Sequence, residues 1–468
     1  MNIENKFSTE DIVKATSGIL INGDMGITFR GISTDTRTIK PGYLFWALKG
    51  TNYDGHDFWK EAIDKGAKGL VISRFPSKFR IEELPKTISV VFVKDTLKAL
   101  GDLAHFWRKK LNCSMVAITG SCGKTTTKEL TYEILSKFWK CAKNEANYNN
   151  LIGVPLSILS IKEGTDIGIL ELGTNAPGEI ERLSQIVSPQ ISVITCIYPS
   201  HLESLGTMEG VLEEKINLFK NTDPNGILIY NYDQDILREK IKNFPQKKIS
   251  FGLNKGADLY AENFKIVENE LKGEVVYCNK KFNLKIPYIG KHNLQNLLAA
   301  LSVVVSLDLD LEKIISELGK SINLFQRTRF YKKGNFLIVD DTYNANPGSM
   351  KAAFEYLKDF SGKKRICILG DMKELGKEAE KYHREIGKLA GEIADLCYFV
   401  GDMAEVYGEA FSISSKPFKT FKNTEELLEN LNIYEIKEFC PESGIIFVKG
   451  SRALKMERIV EKLFKELD

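Results

Sequence analysis

The residues best equipped for chemistry are Thr119-Gly120-Ser121-Cys122-Gly123-Lys124-Thr125-Thr126. An apolar run, Met115 to Ile118, leads into them, and a helix-compatible stretch, Thr127 to Trp139, leads away. Strand, glycine turn and helix form the setting in which a glycine loop binds phosphate. Gly120 and Gly123 let backbone N–H groups close around an anion, and the helix N-terminus adds partial positive charge. Lys124 would reach the terminal phosphates, and the Thr125 hydroxyl would be a Mg²⁺ ligand. The generic spacing G-x-x-x-x-G-K-[ST] wants glycine at 118, where this chain has Ile118, so the pattern is a shorter variant, T-G-x-x-G-K-T-T. An ordinary turn with a chance lysine leaves the flanking strand and helix unaccounted for. The stretch reads as a nucleotide site, with Cys122 as a small loop residue rather than a reactive thiol.

Two further strand ends carry candidate metal partners. Ile167 to Leu170 is an apolar run ending in Glu171, and Ile191 to Ile197 is followed, after Tyr198-Pro199-Ser200, by His201. If both strands run parallel to the phosphate-loop strand, Glu171 and His201 arrive at its edge. A carboxylate and a neutral imidazole both suit Mg²⁺, the carboxylate better; His201 taken alone reads as a solvated side chain. Lys215 lies within an apolar stripe of helical spacing, Val211, Leu212, Ile216 and Phe219, while Glu213 and Glu214 point the other way. The stripe alone favours a lysine that snorkels to solvent. Were it to face a Mg²⁺ site, repulsion at ~4 Å and an effective dielectric of about 20 would cost about 8 kcal/mol. Such a lysine would have to lose its charge or reverse it, as reaction with CO₂ to a carbamate does.

The elements that position these residues follow from the totals. A chain of 468 residues is too long for one core and suggests about two to four domains. With 43% hydrophobic and 27% charged residues it is an ordinary globular composition. The net charge of +3 has no basic block behind it, which argues against nucleic acid as the main partner. The start, MNIENKFSTEDIVKAT, lacks a basic-then-apolar signal pattern, and Leu297 to Leu307 is too short to span a bilayer. Eight cysteines with no C-x-x-C pair fit free thiols in a reducing cytoplasm.

Residues 1–112 read as a small α/β domain whose polar stretch GISTDTRTIKPGYLFWALKGTNYDGHDF includes Ser33, Asp35 and Arg37. That cluster suits a ligand carrying phosphate or sugar, and a solvated loop looks the same. Residues 113–324 alternate strand and helix, as expected of a largely parallel sheet. Within them, 221–289 read as peripheral antiparallel strands. Asn293 and Asn296 open the next helix, where two amides could read a nucleobase edge or Asn293 could cap the helix. Residues 325–468 hold four apolar strands closing on Asp340-Asp341, Gly370-Asp371, Gly401-Asp402 and Lys449-Gly450, a small doubly wound domain. No G-x-G-x-x-G suggests a dinucleotide.

In this order, STDTR, PGYLF, DGHDF, TGSCGKTT, NEANYNN, ELGTNAPGEI, HLESLGT, GKHNLQN, DDTYNANPGSM, LGDMKELG and KGSR resemble the motifs of the Mur ligases. These are ATP-dependent amide ligases that extend the peptide of peptidoglycan precursors. DDTYNANPGSM and LGDMKELG are similar to the member that adds a D-alanyl-D-alanine dipeptide; the D-N-P-R of the member adding the third residue is missing. The resemblance implies three domains: a first that holds a UDP-N-acetylmuramoyl-tripeptide through Ser33, Asp35 and Arg37, a central P-loop domain that binds ATP through Gly120 to Thr126, and a Rossmann-like third that brings in the dipeptide.

It further implies Thr125 and Glu171 on one Mg²⁺, and Glu171, His201 and a carbamylated Lys215 on a second, which reverses the snorkelling reading. Asn296 matches an adenine contact, Arg327 a nucleotide-phosphate contact and Asp341 a ribose contact. The implied enzyme is a cytoplasmic monomer. Cys196 and Tyr198-Pro199-Ser200, where the family has an Asn and a small residue before the histidine, depart from the pattern, as does Trp46 in the first domain. A ligase of the same architecture acting on another acceptor, including a folate-extending one, is the near alternative. A nucleotide switch without ligation would leave the Lys215 stripe unexplained.

Overall fold

The computed structural model describes residues 3–467 except 78, 146, 268, 269, 288, 289, 322–327 and 361. Three parallel-rich sheets succeed one another along the chain, which bears out the α/β expectation. The first has five strands in the order Ile19–Asn22, Ser89–Phe92, Gly69–Ile72, Leu44–Trp46 and Ile32–Ser33, with only the first of these antiparallel to its neighbour. The last has six, Arg329–Lys333, Phe336–Asp341, Gly444–Lys449, Lys364–Gly370, Leu396–Val400 and Phe418–Phe421. The four apolar runs of the sequence are its centre. Arg329–Lys333, rich in exposed lysine and arginine, was not read as a strand and adds an antiparallel edge. Phe418–Phe421 adds a parallel one.

The central sheet has nine strands and places the phosphate loop at its heart. Ser114–Thr119 lies between Ile167–Glu171 and Ile191–Ile194, parallel to both. Alternate side chains of that strand enter different cores: Met115 and Ala117 join one, Val116 and Ile118 the other. A strand buried on both faces needs this unbroken apolar run, because successive residues point to opposite sides. Residues 221–289 differ from the expectation. Ile227–Asn231 and Lys247–Gly252 continue the parallel sheet, and antiparallel pairing begins only between Leu259–Val267 and Glu270–Tyr277, followed by Lys280–Pro287. The lysines that suggested a peripheral position sit at strand starts and on the outer hairpins, where they remain solvated.

Helix Thr96–Lys110 joins the first sheet to the second. Asp95 caps it by accepting from the N–H groups of Leu97 and Lys98. Its buried side carries Leu100, Leu103 and Trp107, and the Trp107 indole donates to the Ile161 carbonyl at 3.0 Å. Trp46 is fully buried, its indole N–H on the Thr96 carbonyl at 2.8 Å. It therefore fills the core of the first unit. No helix among the described residues is long and apolar enough to cross a membrane.

Candidate active site

Strand Ser114–Thr119 delivers the chain to Gly120, and helix Lys124–Leu135 begins immediately after Gly123. Gly123 has φ +80°, and a Cβ there would lie 2.1 Å from Asn296 Oδ1; one on Gly120 would lie 1.9 Å from Thr195 Oγ1. Only glycine permits both the turn and this approach of neighbouring elements. The loop is strapped from the strand beside it. Ser121 Oγ donates to the Tyr198 carbonyl at 2.8 Å and accepts from the Tyr198 N–H at 2.9 Å, while Ser200 Oγ donates to it at 3.1 Å. Thr195 Oγ1 donates to the Cys122 carbonyl at 2.5 Å, and the Ser121 N–H reaches the Cys196 carbonyl. The residues that depart from the family pattern before His201 are thus the ones that hold the loop in shape.

Glu171 ends its strand buried and enclosed. Its Oε2 accepts from Thr125 Oγ1 at 2.5 Å and its Oε1 from Asn149 Nδ2 at 2.8 Å. Asn144 grips the backbone on either side, accepting from the Glu171 N–H at 2.9 Å and donating to its carbonyl at 3.0 Å. Lys128, wholly buried in the helix, donates to the Asn144 carbonyl and pairs with Glu129. Neither asparagine was assigned a role from sequence; NEANYNN showed polar residues in a row, and only the fold reveals which face Glu171.

A cavity of about 310 Å³ opens over the loop. It is lined by Ser121 to Thr126, Glu171, His201, Asn296 and Asp341 among the residues singled out from sequence. Arg327 lies outside the described residues. Ser33, Asp35 and Arg37 are elsewhere, gathered in one turn. Ser33 Oγ donates to the Asp35 carbonyl, and Arg37 makes a two-pronged pair with Asp35 that holds its carboxyl below the usual range.

The third sheet completes the cavity with residues not predicted as site residues. Asn346 caps helix Pro347–Lys358 and lies 3.3 Å and 3.2 Å, by Oδ1 and Nδ2, from Cys122 Sγ. Lys449, buried at the end of its strand, pairs with Asp341 at 2.6 Å. The N-P-G-S helix start and the K-G strand end were both visible in sequence as structure, with nothing to show that they converge.

The site has unusual titration. Cys122 is drawn down to about 6, first by its hydrogen bond with Cys196 and then by Asn346, Lys124 and Lys449, against the opposing effect of burial. The same contact and burial push the Cys196 thiol up. Lys215 is 1% exposed and forms no hydrogen bond or ion pair among the described residues. Burial, then Lys124, pushes it down to about 7. Snorkelling is overturned: at 1% exposure the ammonium does not reach bulk water, and Lys215 lies behind the cavity wall rather than on it. Glu214 also differs from its expectation. It is buried, accepting from Thr174 Oγ1, the Gly178 N–H and the Ile180 N–H, so it caps helix Glu179–Val187 and answers that helix's orphan donors. Glu213 alone faces outward, paired with Lys240 and Lys220.

Two imidazoles border the cavity. His201, in the left-handed region at φ +52°, holds Glu374 through Nδ1 at 2.5 Å. His292 is half-buried, pushed down to about 4 by desolvation, with its buried Nδ1 unpaired. Asn293 does not cap its helix. The cap is Gly290, leaving Asn293 and Asn296 side by side at 3.2 Å.

For divalent cations, the donors in direct contact are Thr125 and Glu171, and His201 lines the same cavity. Among the described residues no three His, Cys, Asp or Glu side chains converge. Thr125 and Glu171 are nevertheless a hydroxyl and a carboxylate in contact at the phosphate loop, the two protein ligands a Mg²⁺ takes when phosphate and water supply the rest. The residues fit the ion there.

A phosphate loop of this kind, answered by a third sheet across a cavity, defines a multidomain nucleotide-using α/β enzyme. Family models match along the chain: Mur ligase family, catalytic domain, at residues 28–108; Mur ligase middle domain at 118–304; and Mur ligase, glutamate ligase domain, at 326–452. The chain belongs to the Mur ligase family. The UDP-N-acetylmuramoyl-tripeptide–D-alanyl-D-alanine ligase of Buchnera aphidicola subsp. Baizongia pistaciae is 36% identical over 463 residues, 97% of each chain. That of Bacillus subtilis is 31% identical over 98% of this chain and 99% of its own. A crystal structure of MurF from Acinetobacter baumannii superposes with a TM-score of 0.90 at 30% identity, over 99% of each chain. MurF ligase from Thermotoga maritima in complex with ADP gives 0.83 at 28% identity, covering 93% of this chain and 97% of that one.

Proposed function

We propose that this protein is an ATP-dependent ligase that joins D-alanyl-D-alanine to UDP-N-acetylmuramoyl-tripeptide, forming the pentapeptide precursor of peptidoglycan. End-to-end similarity to ligases of that name supports it. The observation that carries it is the cavity in which Lys124 and Glu171 face Asn346 and Lys449 of another domain. Such an arrangement brings a phosphoryl donor and an amine together only when both domains are present.

In this reading residues 1–112 hold the UDP precursor through Ser33, Asp35 and Arg37, 113–324 bind ATP, and 325–468 bring the dipeptide. The tripeptide's terminal carboxylate attacks the γ-phosphorus of ATP, giving an acyl phosphate and ADP. The amine of D-alanyl-D-alanine then adds to the acyl carbon, and the tetrahedral intermediate expels phosphate as the amine loses its proton. Lys124 and the loop N–H groups stabilise charge on the transferring phosphoryl group. Asn296 contacts adenine, Asp341 the ribose and Arg327 a phosphate. Thr125 and Glu171 would hold one Mg²⁺, and Glu171, His201 and Lys215 a second, Lys215 as its carbamate. The ions would supply neutralisation of phosphate and carboxylate charge. Burial supports the carbamate, because a lysine held near neutral is nucleophilic toward CO₂. Domain contact excludes water from the acyl phosphate. The protein acts in the cytoplasm as a monomer.

The test is phosphate release with ATP, Mg²⁺, UDP-N-acetylmuramoyl-tripeptide and D-alanyl-D-alanine, omitting each in turn. Full release without the dipeptide would leave a nucleotide hydrolase; release with the dipeptide replaced by a single amino acid would place the chain with a different acceptor.

A further inference from the structure

His201 and Glu374 meet from different domains, and both are in the left-handed region, at φ +52° and +66°. Neither is glycine, so each conformation is disfavoured and must be held by its surroundings. The surroundings are specific. The Glu203 N–H donates to the Glu374 carbonyl at 3.1 Å, fastening the third-domain loop to the start of helix Leu202–Leu205, which His201 caps. Gly376 comes so close to Glu203 that a Cβ would lie 3.1 Å from its Cα. Met372 and Leu375 anchor the loop in the core, leaving Glu374 between them with its carboxylate turned to the imidazole.

The pairing has a chemical consequence. Glu374 is on Nδ1, and among the described residues the imidazole has no other partner. A carboxylate on Nδ1 fixes the orientation of the ring and leaves Nε2 as the nitrogen without a protein partner. His201 also lines the cavity shared with Glu171 and Lys124. An exposed ion pair would be worth little for stability, so latching alone is a poor account of two unfavourable backbone conformations.

We propose that Glu374 is a positioning residue: by holding Nδ1 of His201 it presents Nε2 to a divalent cation, so that the cation site is complete only when the third domain is docked. The inference rests on the reading of His201 as a cation ligand. It makes docking of the amine-carrying domain and assembly of the charge-neutralising site one event. Phosphoryl transfer without an acceptor in place would then be disfavoured.

Mn²⁺ binding to the full chain with saturating ADP, followed by electron paramagnetic resonance, tests this without turnover. Glu374→Ala should weaken the second, weaker Mn²⁺ by about 10- to 100-fold. Glu374→Gln, which still accepts from Nδ1, should recover part of the loss, and His201→Ala should cost at least as much as Glu374→Ala. Adding Glu374→Ala to His201→Ala should cost nothing more. Thermal melting separates misfolding from a local effect, since the wild-type midpoint is expected for Glu374→Gln. Unchanged Mn²⁺ affinity in Glu374→Ala with a loss in His201→Ala would overturn the proposal and leave the ligand role intact. Unchanged affinity in both would overturn the ligand role itself.

Discussion

Two stretches are crowded with polar residues, 33–38 and 119–126, and they are held in opposite ways. In the first, the groups answer one another locally: Ser33 meets Asp35, Asp35 meets Arg37, and the Arg37 side chain is 85% exposed. In the second, Lys124 reaches back to the Gly120 carbonyl at 2.8 Å, but the other partners are distant in sequence. Ser121 is tied to Tyr198, Cys122 to Thr195 and Asn346, and Thr125 to Glu171. Local pairing forms in any turn and needs no tertiary structure. Distant pairing costs chain entropy and exists only where packing already fixes both sides. It yields a site whose groups are positioned before the ligand arrives, which is the condition for electrostatic catalysis.

The largest effect should come from Lys124→Ala. Loss of the cation on the transferring phosphoryl group should lower kcat about 10²- to 10³-fold in the phosphate-release assay, with affinity for the UDP precursor unchanged by calorimetry. A drop in both would show that the two regions are coupled rather than separate. Gly123→Ala should come next. Its φ of +80° costs an L-residue about 1–2 kcal/mol, and the new methyl must displace Asn296, so the KM for ATP should rise at least about tenfold.

Lys215 allows activity and stability to be set against each other. In metal-free, CO₂-depleted buffer its folded pKa of about 7 lies below the ordinary lysine value of 10.5. Between those values the unfolded chain binds more protons, so this residue makes stability rise with pH across that window and imposes its full cost below about 7. Lys215→Met should therefore raise the melting temperature, by more at pH 7 than at pH 10, while abolishing ligation. A variant that melts lower at pH 7 would mean that the ammonium has a partner in solution.

Cys122 should sharpen the same contrast. Held near 6, it should react with iodoacetamide at pH 7 several times faster than an ordinary thiol of pKa about 8.5, and ATP should slow the reaction. Peptide mapping that finds the exposed Cys278 labelled first would count against this.

The strand-loop-helix unit was legible because its signal is periodic and local: an apolar run buried on both faces, glycines at the turn, then a helix. Glu171 was legible as a strand end, and His201 as a residue in the loop beyond one, although that strand stops at Ile194 rather than Ile197. What was hidden depends on which elements become neighbours. Glu214 looked like an outward acid from its own helix, and the N–H groups that bury it belong to another. Asn346 and Lys449 belong to strand and helix ends over 200 residues after the loop they border. Glu374 sits in a loop whose sequence, M-K-E-L-G, carries no mark of an imidazole opposite it. Periodicity reports a residue's own element, and a site between domains is a property of their contact.

The smallest effect should come from Arg37→Ala. Its pair with Asp35 is exposed and local, so the melting temperature should not move measurably. The informative quantity is KM for UDP-N-acetylmuramoyl-tripeptide. If the turn is a ligand site, its guanidinium is held by Asp35 until a diphosphate competes for it, and KM should rise about tenfold with kcat unchanged. That split would make 33–38 a site that exchanges an internal partner for a substrate, while 119–126 is built around its absence. An unmoved KM would leave 33–38 a self-satisfied turn and send the search for the precursor's phosphates to other residues of the first domain.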